Sequence, residues 1–161
     1  MPRELVLDEV VGSFDARADG GVALLGVDGV GKTTLGAQIA ERLGQPDPVR
    51  VIGTATGSEI PFGAFSSLVD IAEAGKPAML IHAALDSLLA RTDNGLIIID
   101  DAHLLDPLSA ALVYRLAQLC RPTESDRGQI IVTARSTPPI PAAIAALWQD
   151  GLLGRIDVTP L

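Results

Sequence analysis

The run Gly26-Val27-Asp28-Gly29-Val30-Gly31-Lys32-Thr33 fits the pattern Gly, any four residues, Gly-Lys, then Ser or Thr, and these types at this spacing suit one task, holding phosphate. Glycines at 26, 29 and 31 let the backbone curl so that successive N–H groups, through Thr34, point into one concavity at the start of a helix and attract anionic oxygens. Lys32 adds a mobile full charge for the β and γ phosphates, and Thr33 offers a hydroxyl to magnesium. A glycine-rich turn that merely precedes a helix would match by chance in well under about 1% of chains this long, so nucleotide binding is the stronger reading.

A second group of acids follows downstream. Gly95-Leu96-Ile97-Ile98-Ile99-Asp100-Asp101 ends an aliphatic run in two carboxylates. In a parallel sheet, ligands sit beyond the carboxyl ends of strands, which puts these acids beside the phosphate loop. Asp100 is then the expected partner of Mg²⁺, through its water shell, because magnesium dehydrates reluctantly. Asp101 is the candidate to orient or deprotonate an attacking water; as a helix cap or a solvated loop acid it would have no such role. Ile130-Ile131-Val132-Thr133-Ala134-Arg135 brings a polar residue and a cation to the same rim. Arg135 would bond the γ-phosphate bidentately, unless it is a surface arginine in the loop whose three prolines follow. His103 is expected to bond local backbone, with a report on nucleotide state as the other reading, and His82 is read as structural.

Positioning these groups requires strands that deliver them and helices that cover the strands. Strand-length apolar runs occur at 22–26, 49–53, 96–100, 129–134 and 155–158, continuous and not alternating, as in strands covered on both faces. Between them lie helical spacings: Leu35, Ile39 and Leu43 before the stop at Gly44; an apolar segment at 77–91; and Asp106-Pro107 as cap and first turn ahead of Leu108, Leu112, Leu116 and Leu119. Loops are expected at 45–48, 121–128 and 137–141. Alternating strands and helices predict one parallel α/β domain over 1–161.

Composition narrows the function classes. The 161 residues carry a net charge of -8 and no run of basic residues, a surface that repels nucleic acid phosphates. Hydrophobic residues are 48% but aromatics only 3%, so the core must be aliphatic. A single cysteine, Cys120, excludes an internal disulfide, and no Cys/His cluster has zinc spacing. With no apolar run near the roughly 18 residues of a membrane helix, the expectation is a cytoplasmic protein with no membrane partner.

Together, Gly26 to Thr34, "LIIIDDAHLLD" from Leu96, "VTAR" from Val132, "VIGTATGSEIPFGAFSSL" from Val51 and "ALWQDGLLGRIDVTPL" from Ala146 resemble the STAND class of signal-transducing ATPases, most closely the large ATP-binding LuxR-type transcriptional regulators of actinobacteria. The resemblance implies a P-loop NTPase three-layer sandwich with a mainly parallel five-stranded sheet, in the ASCE/AAA-like strand arrangement. It implies a nucleotide switch that exchanges ATP and ADP with Mg²⁺ as cofactor. The lid and the DNA-binding helix-turn-helix of that family have no counterpart here, so the chain is expected to be an excised domain, monomeric and without DNA binding of its own. An adenine-seating element near the start is reduced to Arg3, Glu4 and Leu5. Many such ATPases carry Glu where Asp101 stands; the shorter acid displaces the base, and a misplaced base forfeits up to about 10² to 10⁴ in rate. Turnover is therefore expected at or below about 1 per second.

Two rival classes stay open. The loop through Thr34 also resembles that of thymidylate kinase, although the Asp-Arg-aromatic segment and arginine-rich lid of those enzymes are missing. An oligomeric AAA-type ATPase would need an arginine from a neighbouring subunit, for which Arg121, Arg127 and Arg155 are the candidates.

Overall fold

A strand in which every residue is apolar has to be covered on both faces, and the strands at the centre of this molecule are. A computed structural model describes residues 8, 21–27, 31–42, 49–55, 86, 96–119 and 129–158. Five parallel strands form one sheet in the order β2-β3-β4-β1-β5. All residues of β1 (Gly21–Gly26) and β3 (Leu96–Asp100) are buried, as are residues 130–134 of β4 (Gln129–Arg135). The edge strands β2 (Val49–Ile52) and β5 (Gly154–Asp157) are only partly covered.

β3 has the bounds expected of it; the other strands differ from expectation by one residue, β1, β2 and β4 at one boundary and β5 at both. β4 runs on to Arg135 because that residue still pairs with Gly26 of β1. Gly53 and Val158 fall just beyond their strands, yet their N–H groups still donate to Asp100 O at 2.8 Å and Leu25 O at 2.6 Å.

On one face of the sheet lies α1 (Lys32–Arg42), whose Leu35, Ile39 and Ala40 pack with Val22, Leu24, Leu96, Ile98 and Ile131. On the other lie α2 (Pro107–Leu119) and α3 (Ala142–Gln149), packing Leu112, Val113, Leu116, Ile144 and Leu147 against Ala23, Leu25, Ile97, Ile99, Ile130 and Val132. This is the three-layer α/β sandwich expected. Truncating a fully buried aliphatic such as Ile98 to Ala would cost about 2 to 5 kcal/mol.

α2 starts as its sequence predicts. Asp106 Oδ2 accepts the Ser109 N–H at 3.1 Å, and Pro107, which has no N–H to satisfy, opens the helix. α3 is an element that the sequence reading passes over, and the Tyr114 hydroxyl ties its end to α2 by donating to Asp150 Oδ2 at 2.8 Å. The expected helix at 77–91, apart from helical Asp86, and the loops at 45–48 and 121–128 lie outside the described residues, as do His82 and Cys120. No helix among the described residues is long and apolar enough to cross a membrane.

Register sets the site. Ile99 pairs with Val132, so the next residues, Asp100 and Thr133, are neighbours, while Thr133 pairs with Leu24 on its other side. Side chains alternate along a strand, so Asp100, following Leu96 and Ile98, and Thr133, following Ile131, face the layer that holds α1.

Candidate functional site

Polar side chains gather where β1, β3 and β4 end. Gly31 has φ of 95°, a left-handed backbone open to glycine but strained for other residues, and its carbonyl accepts the Leu35 N–H at 2.9 Å, opening α1. Lys32, the first residue of α1, is 5% exposed and curls back so that Nζ donates to Gly26 O at 2.9 Å and Val27 O at 2.8 Å. The next residue, Thr33, reaches across to β3: its Oγ1 lies 3.1 Å from Oδ1 and 2.9 Å from Oδ2 of Asp100. Thr34 is exposed. Asp28, Gly29 and Val30 lie outside the described residues.

Asp100 is 3% exposed, and a second hydroxyl, that of Thr133, also donates to its Oδ1. The chain then turns sharply. Asp101 adopts the left-handed conformation, φ 53° and ψ 47°, which Asp tolerates better than most residues. It occupies the cap position of a short 3₁₀ turn, Ala102–Leu104, but its side chain makes no capping bond. Asp101 is thus a cap by position only: its backbone N–H donates to Thr133 Oγ1 at 3.0 Å, and the residue lines the cavity described below. Gly53 presses on the same turn, where a Cβ would come within 2.3 Å of the Asp101 carbonyl oxygen.

Arg135 is half-buried and ends β4 level with Gly26, so it belongs to the sheet rim and not to the proline loop that follows. Its backbone N–H donates to His103 Nδ1 at 3.0 Å, so the histidine does meet backbone, but that of β4, 32 residues along the chain, and not the local backbone expected. Nδ1 therefore carries no proton there.

Gly31, Lys32, Thr33, Asp101, His103, Leu104 and Arg135 line one cavity of about 490 Å³, a size suited to a small ligand. It gathers two cations and one acid at its wall, with Asp100 behind Thr33. The touching hydroxyl and carboxylate of Thr33 and Asp100 are hard oxygen donors of the kind magnesium takes, and this ion commonly uses one or two carboxylates plus the oxygens of its substrate. Among the described residues no group of three or more His, Cys, Asp or Glu could hold a metal. Sequence reasoning left out Leu104 and Gly53 and noted Thr133 only as a polar residue. Their roles depend on which strands are neighbours, which no local motif encodes.

Comparison with known proteins bears on this geometry. The profile of a family described as AAA domain matches residues 16–136. No curated protein matches by sequence. Among solved structures, the chain is similar to Cdc6p from Pyrobaculum aerophilum (21% identity, TM-score 0.62, 98% of this chain and 45% of that one). It is also similar to PCH-2 from C. elegans (17%, 0.57, 98% and 43%) and to the Pif1 helicase from Candida albicans (17%, 0.54, 96% and 39%). At these identities the likeness is one of fold, and the chain spans less than half the length of each.

Proposed function

The chain belongs to the AAA domain family of P-loop ATPases, and from that premise we propose that it binds Mg²⁺-ATP in the cavity between α1 and the ends of β3 and β4 and hydrolyses it slowly. The observation that carries the reading is the convergence of Lys32, Thr33, Asp101 and Arg135 on one cavity, with Asp100 against Thr33.

In this reading the backbone of 26–34 cradles the phosphates, with Gly26, Asp28, Gly29, Val30, Gly31 and Thr34 contributing main-chain groups. Lys32 exchanges the carbonyls of Gly26 and Val27 for phosphate oxygens. Thr33 and Asp100 would hold Mg²⁺, which when bound neutralises charge on the phosphates. Asp101, uncommitted to a cap, orients or deprotonates water, and Arg135 bonds the terminal phosphate with its guanidinium. Titrating ATP into the chain and into Lys32→Ala, with and without magnesium, tests the assignment, and equal affinity of the two would sink it.

We further propose that the domain is the nucleotide switch of a LuxR-type regulator of the STAND class, monomeric in isolation and not itself a DNA binder. The family-like stretches at Val51, Leu96, Val132 and Ala146 and the net charge of -8 support this. Light scattering with and without ATP separates the monomeric switch from a ring-forming AAA machine. Transfer of phosphate to thymidine monophosphate would instead reveal a nucleotide kinase.

A further inference from the structure

The side chain that connects the two acids is on neither of their elements. Thr133 lies in β4, 0% exposed, beyond the reach of water. A hydroxyl has one proton to give and lone pairs to accept with, and here both are committed: the proton goes to Asp100 Oδ1, and a lone pair takes the Asp101 N–H at 3.0 Å. The chain of bonds therefore has one direction, from the Asp101 amide through the Thr133 oxygen to the Asp100 carboxylate.

Resting on the reading above, we propose that Thr133 is a positioning residue that sets the metal-side carboxylate and the water-side acid with a single hydroxyl. Asp100 has four lone-pair directions, and Thr33 lies within bonding distance of both its oxygens. The Thr133 bond to Oδ1 selects the rotamer of the carboxylate and orients what it offers to a cation. The bond from Asp101 satisfies an amide at a left-handed residue and so holds the turn that aims its side chain. β4 lies between β1 and β3 in the sheet, so this hydroxyl is also how the strand ending in Arg135 registers with the acids. A buried threonine is usually read as a spacer; one that spends both halves of its hydroxyl on consecutive acids is placed to do more.

The test compares Thr133→Val, which keeps the shape and removes the hydroxyl, with Thr133→Ser, which keeps the hydroxyl. In nucleotide-free protein, amide exchange followed by NMR should show the Asp101 amide losing about tenfold protection in Thr133→Val, while the amide of Ile98 keeps its own. The magnesium needed for half-maximal ATP binding should rise about 10 to 100-fold, as when the partner that orients a metal ligand is lost. ATP affinity in chelator should hold within about twofold, because the phosphate loop is untouched. Thr133→Ser should restore both readouts.

Unchanged Asp101 exchange in Thr133→Val would overturn the proposal. So would a parallel fall in chelator affinity, or a serine variant as impaired as valine. Should valine not fold, Thr133→Ala takes its place with the same readouts. Equal ATP affinity of the wild-type chain and Lys32→Ala would sink the function reading instead, and the exchange measurement, which uses no nucleotide, would still decide for or against Thr133.

Discussion

Asp100 at the end of β3 and Asp106 at the start of α2 are both 3% exposed, yet they stand in different company. Asp106 accepts a backbone amide, that of Ser109, and in doing so opens a helix. Asp100 is met by two side-chain hydroxyls, from α1 and β4. A cap completes the protein's own backbone, and its success is measured in stability. On the function proposed above, Asp100 and the Thr33 hydroxyl are instead the oxygens that would hold Mg²⁺. On that proposal equal burial hides different purposes, and substitutions in the two regions should separate function from stability.

The largest effect is expected at Asp101→Asn. Asparagine tolerates the left-handed backbone at φ 53°, so the fold should persist and ATP affinity hold while steady-state phosphate release falls about 10²-fold, the low end of a base's contribution because the shorter acid is displaced. Lys32→Ala comes next, with affinity by calorimetry weakened about 10 to 150-fold and little change in Tm. Gly53→Ala bridges the two regions, because its methyl meets the Asp101 carbonyl. It should lower stability by about 1 to 3 kcal/mol in denaturant melts and impair hydrolysis with it. Asp106→Ala should cost about 0.5 to 2 kcal/mol and leave ATP affinity at its wild-type value, and a loss of affinity there would break the comparison. Smallest is Arg155→Ala. Its ion pair with Asp157 is roughly half exposed on both sides, so the stability change should stay within about 0.5 kcal/mol.

What could be read from the sequence follows from which forces are local. The central strands were legible because aliphatic runs as continuous as Leu96-Ile97-Ile98-Ile99 have few other homes, whereas β2 and β5, expected to be covered on both faces like them, are sheet edges that leave Arg50, Arg155 and Asp157 exposed. The start of α2 was legible because Asp106-Pro107 is chemical punctuation. α3 was not: Pro141 stands at its N-cap with no side-chain capping bond, and its first turn holds no acid, so the start signals of a helix were missing although Ile144 and Leu147 keep helical spacing. At the site, Lys32, Thr33 and the paired acids announced themselves by type and spacing. The absence of a cap bond at Asp101 rests on dihedral angles, and the double bond of Thr133 rests on β4 lying next to β3. Both are products of the assembled sheet.

The two carbonyl bonds of Lys32 have a consequence for any affinity measured on this chain. The ammonium is already satisfied by Gly26 O and Val27 O, so an incoming anion meets an internal competitor, and binding is an exchange of acceptors. The strength observed will be the difference between phosphate and carbonyl as hosts for the same charge. Replacing Lys32 removes the carbonyl bonds together with the phosphate contact, and the loss it produces is therefore smaller than the full interaction between ammonium and phosphate. The same exchange lets the charge be released without being left unpaired in a buried place, which favours departure of a bound anion.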